Sequence, residues 1–354
     1  MLQSLNHLLK EIKPLDQEAI AAAGRHLDQL TKPPGSLGKL EDTAQQLAGI
    51  TGETITELGK KAVIVMAGDH GVCEEGISAF PAEVTPQMVL NFLSGGAAVN
   101  VLARQAGADV VCVDIGVNSD LEHPQLYSRK VRKGTRNMMR GPAMTEQEAL
   151  EAIHIGINLV KELVDDGYTL FATGEMGIGN TTASSALLAV LTGTDVAGAV
   201  GRGTGIDNDM LRHKQEVIER AIEINNPDVN NPLDVLAKLG GLEIAGLTGV
   251  ILGAAIYRRP VVIDGFISSA AALVASRISP QSTSYIIASH LSHEQGHARL
   301  LEAIGLSPML RMDMRLGEGT GAVLAFSLIE ASVRVMKEMA TFASAGVSQA
   351  PSEQ

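Results

Sequence analysis

The sequence predicts an α/β fold in which one parallel sheet is flanked by helices. Two observations carry that prediction. Short apolar, β-branched runs recur along the chain, and each passes directly into a loop rich in Gly and polar groups. Helical stretches such as 145–165 and 211–223 separate these runs, and strands alternating with helices build parallel sheets covered on both faces. Composition says what fills the interior. Hydrophobic residues make up 45% of the 354-residue chain, but aromatic residues only 3%, with no Trp. Ala, Val, Ile, Leu and Met must therefore pack the core.

In chain order, residues 4–31 read as two helices separated by Pro14. The loop KPPGSLGKLE (32–41) follows, with Ser36 a candidate cap for the next helix. The predicted strands come next. AVIVMA (62–67) leads into GDHGV (68–72), and VVCVD (110–114) into IGVN (115–118). YTLFAT (168–173) leads into GEMGIGNTT (174–182), whose end opens a helix over 182–192. PVVID (260–264) leads into GFISSAAAL (265–273), and SYIIAS (284–289) into HLSHEQGH (290–297). A strong helix over 321–339 precedes a polar tail expected to fray. The helices of 1–60 and the segment 321–354 are expected to pack as a small helical domain beside a large α/β domain over 61–320. Ligands bind at the carboxyl ends of parallel strands, so loops distant in sequence should converge on one cleft.

Several function classes are excluded or constrained. The net charge of −12 argues against a nucleic-acid partner, which needs clustered Lys and Arg. One small phosphate can still be held by backbone amides and a local cation. Cys73 and Cys112 show no disulfide or metal-ligand spacing and read as reduced thiols of a cytoplasmic protein. The N-terminus lacks the apolar run of a signal peptide, and no membrane span is expected.

Five motifs bear on chemistry. GEMGIGNTT is a Gly-rich loop entering a helix, a phosphate cradle or a structural glycine turn. The spacing Gly174 to Gly179 looks like an ATP loop, but Asn180 stands where that loop needs Lys. VGRGTGIDNDMLRHK (200–214) is a second such loop, with Arg202 and Lys214 as candidate cations or ordinary solvated charges. HEQGH (293–297) fits a zinc pattern in which His293 and His297 share a helix face and Glu294 activates water, although Gly296 weakens a helix there. GDHGV sets Asp69 and His70 at a strand end, for loop-shaping bonds or direct chemistry. RLGEGTGA (315–322) sets Glu318 between Gly317 and Gly319 before a long helix. A flat aromatic substrate could approach it, and a desolvated Glu suits a general base. The alternative is an exposed Glu favoured by the helix dipole. No Thr-Gly-Gly loop with an acidic pair follows Asp264, so a pyrophosphate-activated ribose donor is not expected.

Taken together, KPPGSLGKLE, AGDHGV, GEMGIGNTT, VGRGTGID, GGLEIAGLTG, DGFISSAAAL, SHLSHEQGH and MRLGEGTGA occur in one order. From about residue 30 to about residue 340 the chain resembles the nicotinate-nucleotide:dimethylbenzimidazole phosphoribosyltransferases of cobalamin lower-ligand assembly. The resemblance implies a Rossmann-like large domain, a small helical domain and a homodimer. It implies transfer of the 5-phosphoribosyl group from nicotinate mononucleotide to a benzimidazole base, with inversion and without metal or cofactor. By that resemblance Glu318 is the base and Glu175 lies near the ribose. Gly177, Gly179, Asn180, Thr181, Gly203, Lys214 and Asp264 serve phosphate and ribose. Phe80, Gln87, Met88, Leu316, Gly317 and Ser292 line the base pocket. Family members carry Ser and Gln where Phe80 and Met88 stand here, so a more apolar pocket is implied. A zinc hydrolase through His293, Glu294 and His297, or a non-catalytic nucleotide-binding protein, are the rival readings.

Overall fold

The computed structural model describes residues 1–203, 205 and 207–348. Strands β1 (Lys60–Gly68), β2 (Asp109–Gly116), β3 (Tyr127–Ser128), β4 (Tyr168–Met176), β5 (Val261–Ile263) and β6 (Ile286–Ala288) form a six-stranded sheet of order β3-β2-β1-β4-β5-β6. Every pairing in it is parallel. This is the doubly wound Rossmann order, and it reverses between β1 and β4.

Alternation along β1 explains the layering. Ala62, Ile64 and Met66 join one core with helices Glu146–Asp165, Leu242–Ile256 and Phe266–Ile278. Val63, Val65 and Ala67 join the opposite core with helices Val84–Leu93, Ala98–Ala106 and the first half of Thr320–Glu338. Helix Leu242–Ile256 is buried on nearly every side and touches Glu146–Asp165 through glycines. A Cβ on Gly249 would lie 2.0 Å from the Ile153 carbonyl oxygen, and one on Gly156 would lie 2.1 Å from that of Gly246. Gly249→Val should therefore lower stability by about 2–3 kcal/mol, read as a lower denaturant midpoint at unchanged slope. An unshifted midpoint would mean that the two helices can part at no cost.

The N-terminal helices Leu2–Leu9 and Gln17–Gln29 flank Pro14, and Asp16 caps the second. Ala19, Ala23, Leu27, Leu30, Ala44 and Ala48 pack with Met336 in a small apolar cluster of their own. The C-terminal helix thus packs its first half on the sheet and its second half on the N-terminal helices. No helix among the described residues is long and apolar enough to cross a membrane.

Several sequence expectations are corrected in detail. β4 runs on through Met176 because Glu175 still pairs with Met66, so the first three residues of the Gly-rich motif are strand. The run 284–289 breaks up. Pro280–Tyr285 is a 3-10 turn, β6 is Ile286–Ala288, and His290–Leu291 (β7) pairs with Leu310–Arg311 (β8) in a separate two-stranded sheet. Ser36 caps nothing. Helix Lys39–Thr51 starts from Gly38 without a side-chain cap, and Glu41 reaches back to the Leu37 amide at 2.8 Å. In the polar tail, 349–354 lie outside the described residues, as do 204 and 206 of the second Gly-rich loop.

Candidate active site

A cleft of ≈ 330 Å³ opens at the carboxyl ends of β4 and β5. Its walls come from 175–181, 264–268, 290–294 and 315–318, with Ile77, Ser78, Phe80 and Met88 on one side. Four strand-end loops, far apart in the chain, therefore meet as their composition predicts. Of the candidate residues, Glu318, Glu175, Gly177, Gly179, Asn180, Thr181, Gly203, Asp264, Phe80, Met88, Leu316, Gly317 and Ser292 line it. Lys214 stands just behind the wall. Gln87 is exposed, on a different side of its helix from Met88.

Glu318 has an unusual backbone. Gly317, Glu318 and Gly319 have φ of +83°, +63° and +100°. Left-handed geometry costs a residue with a Cβ about 1 kcal/mol, so something must hold it. The Glu318 amide donates to Glu175 Oε1 at 3.4 Å. Asp264 Oδ2 accepts from Gly319 N at 3.1 Å, and Oδ1 accepts from Gly321 N and Ala322 N at 2.8 and 3.1 Å. These amides start helix Thr320–Glu338, whose N-cap Gly319 offers no side-chain oxygen. Asp264 thus caps that helix from the end of β5. Both of its oxygens accept from backbone amides, and the residue also lines the cleft, where the sequence reading set it beside phosphate and ribose. Close packing explains Gly174, where a Cβ would lie 2.2 Å from the Glu318 carbonyl oxygen.

Three carboxyl groups, Glu175, Asp264 and Glu318, are thus buried in one cleft. Burial, with the charges of Asp264 and Glu243, pushes Glu175 up to about 8, against hydrogen bonds from Asn180 and the Glu318 amide. Burial also raises Asp264, opposed by His290 and by the three amides. Glu318 is raised by burial and, less, by Asp264, while a hydrogen bond from the Val99 amide works the other way.

The other side of the cleft carries a helix start and a buried cation, groups whose chemistry suits an anion. Helix Asn180–Thr192 begins at Gly179, φ +93°, with no side-chain cap. The Asn180 and Thr182 amides donate to the Gly177 and Gly179 carbonyls at 3.1 and 2.9 Å, and among the described residues the Thr181 amide is left for a ligand. The Lys214 ammonium is buried and donates to Thr181 Oγ1 at 2.7 Å. A Cβ on Gly203 would lie 3.3 Å from that ammonium. Burial lowers the Lys214 pKa to about 8. Beneath this loop, His70 Nε2 meets Glu243 at 2.7 Å, both fully buried. Burial opposes charge on His70, but Glu243 outweighs it and raises the pKa. A Cβ on Gly177 would lie 2.3 Å from the Gly68 carbonyl oxygen and 3.4 Å from the His70 ring. The GDHGV motif therefore shapes the floor under the Gly-rich loop.

The zinc reading needs His293 and His297 on one helix face, and the fold places them otherwise. The helix starts only at His297. The His297 ring accepts from the Ser292 amide through Nδ1 at 2.8 Å and meets Ser269 Oγ through Nε2 at 2.9 Å. Both nitrogens are engaged inside the protein, and burial lowers the pKa to about 3. Among the ionisable residues that line the cleft, His290 and Arg315 had no role in the sequence reading, while Glu294 had one only in the zinc reading. His290 Nδ1 lies 3.0 Å from Ser289 Oγ and 3.8 Å from Asp264 Oδ1. Its only local signal was a place inside the SHLSHEQGH motif.

A doubly wound sheet with an anion cradle facing buried carboxyl groups defines an α/β enzyme that acts on a small phosphorylated substrate. Comparison with known proteins narrows that class. The chain belongs to the phosphoribosyltransferase family, whose model it matches over residues 12–347. It is 58% identical over 350 residues to the nicotinate-nucleotide–dimethylbenzimidazole phosphoribosyltransferase of Chloroflexus aggregans, covering 99% of this chain and 98% of that protein. The enzyme of the same name from Desulforamulus reducens is 56% identical over 347 residues, covering 98% and 99%. The crystal structure of nicotinate-nucleotide-dimethylbenzimidazole phosphoribosyltransferase from Thermus thermophilus superposes with a TM-score of 0.90 at 47% identity, covering 95% of this chain and 100% of that one.

Proposed function

We propose that the chain transfers the 5-phosphoribosyl group of nicotinate mononucleotide to 5,6-dimethylbenzimidazole, giving α-ribazole 5′-phosphate and nicotinate. One observation carries the site assignment. Glu318 is a buried carboxylate held in left-handed geometry between two glycines, across the cleft from the Gly177–Thr181 cradle. One nitrogen of the base attacks the anomeric carbon as its bond to the pyridinium breaks. The electron pair leaves with nicotinate, which needs no proton. Attack from the opposite face inverts the centre. The proton on the other nitrogen of the base passes to Glu318. Glu175, pushed up to about 8, is the carboxyl that stays protonated at neutral pH. Two carboxyls whose environments differ in this way take different roles. The negative charge of Glu318 favours the positive charge that develops on the ribose.

Gly177, Gly179, Asn180, Thr181 and Gly203 take the phosphate, with Lys214 as its cation through the wall. Met88, Phe80, Leu316, Gly317 and Ser292 take the aromatic base, and Phe80 and Leu316, 51% and 58% exposed, stand at the mouth. Lys214→Met should raise KM for nicotinate mononucleotide by about 10- to 100-fold, the loss of one charged hydrogen bond. In the unaltered enzyme that KM should rise as pH passes about 8, because Lys214 then loses its proton. A flat KM between pH 7 and 9 would remove Lys214 from the phosphate site.

The same reading takes 1–60 and 321–354 as a small helical domain beside 61–320, supported by the separate cluster around Leu27 and Met336. It also takes the enzyme as a cytoplasmic homodimer. Incubation with both substrates decides between catalysis and mere binding. Nicotinate and the α-riboside phosphate should appear in equal amounts, whereas tight binding without nicotinate release would overturn the proposal.

A further inference from the structure

We infer that the backbone amide of Val99 is the positioning group that orients Glu318 and keeps its carboxylate ionised, leaving Oε1 to receive the proton. This rests on the reading of Glu318 as the base. Helix Ala98–Ala106 follows Ser94-Gly95-Gly96-Ala97. Ala97, at the N-cap, has no side-chain oxygen with which to satisfy the first-turn amides. Asn100 does not supply that cap, because its Oδ1 accepts from Ala97 N at 3.2 Å and its Nδ2 donates to Phe92 O at 3.0 Å. The Val99 amide instead donates to Glu318 Oε2 at 3.2 Å, across 219 residues of chain. Glu318 is thus the cap of a helix to which it does not belong. Oε1 accepts no hydrogen bond among the described residues, so one oxygen is held and the other is left for substrate.

The surrounding charges give the amide its importance. From β4 and β5, Glu175 and Asp264 face Glu318 as carboxyl groups, and His290 stands beyond Asp264. Arg315, on the same segment as Glu318, lines the open part of the cleft. Burial and Asp264 both disfavour the Glu318 anion, and the Val99 amide opposes them. The positive end of the helix adds to that opposition.

The test replaces Val99 with its α-hydroxy acid, which turns the amide into an ester and deletes only the N–H. The acidic limb of kcat/KM for the benzimidazole should move up by about one pH unit, so that the variant is about tenfold slower below the limb and close to normal on the plateau. Ala97→Ser gives a second route, since its hydroxyl oxygen competes for the same amide. It should move the limb in the same direction without lowering Tm. A lower plateau or Tm with an unmoved limb would reduce Val99 to a structural role and overturn the inference. Failure of the underlying reading looks different: Glu318→Gln would then leave both turnover and the acidic limb as they are in the unaltered enzyme.

Discussion

Glu318→Gln should lower kcat about 10²- to 10⁴-fold, the usual contribution of a positioned general base, while nicotinate mononucleotide still binds. Gln keeps the shape and can still accept from the Val99 amide, but it cannot take a proton. Glu175→Gln should also slow turnover, since its Oε1 receives the Glu318 amide at 3.4 Å and its carboxyl faces the same cleft. The two effects should not add in the double variant, because both groups serve one reacting centre. In the unaltered enzyme, activity should fall as pH drops through the Glu318 pKa, which burial places above the usual glutamate range. The checks are steady-state kinetics for each variant and calorimetry for nucleotide binding. Near-normal turnover in both single variants and the double would show that neither carboxyl is the base.

Asp264→Ala should cost about 3–5 kcal/mol of stability and most of the turnover. The side chain accepts from Gly319, Gly321 and Ala322, at a helix start with no other cap. Truncation leaves three amides without an acceptor in a buried site, and breaking such a network costs more than the loss of its individual bonds suggests. The left-handed turn at Glu318 loses its anchor as well, so kcat should fall even where the protein remains folded. Asp264→Asn is the informative partner. It keeps one carbonyl oxygen for Gly321 and Ala322 but presents an NH₂ to Gly319, so it should fold better than Asp264→Ala and still be slow. Denaturant midpoints and turnover measured on the same preparations test this. An Asp264→Ala protein as stable and as active as the original would make Asp264 a bystander.

Much of the site is legible from local pattern because it obeys local rules. Strands 62–67, 110–114 and 168–173 announce themselves by continuous apolar runs, since a strand buried on both faces has no polar side to show. GEMGIGNTT and RLGEGTGA stand out because glycines are needed where chain segments meet closely, as Gly174 does against the Glu318 backbone and Gly317 against the Glu175 carboxyl group. Helix Leu242–Ile256 is harder to read. Buried almost all round, it lacks the one-sided periodicity that marks a surface helix. Helix Ala98–Ala106 is hidden for another reason, because its cap comes from Glu318 rather than from its own sequence. HEQGH misleads because the spacing of two histidines says nothing about where a helix begins.

The sequence by itself determines the parallel α/β sheet, the loops that meet at its carboxyl edge, and the presence of a carboxylate between two glycines in one of them. These follow from periodicities of a few residues and from the backbone freedom of Gly. Only the tertiary structure decides what each carboxyl group does. It assigns Asp264 to backbone amides 55–58 residues away, leaves Gln87 in solvent, closes His297 inside the core, and aims the Val99 amide at Glu318. Those outcomes depend on chain segments brought together by burial. The energy of a hydrogen bond or a buried charge is set by the neighbours that exclude water from it, and such neighbours have no fixed spacing along the chain.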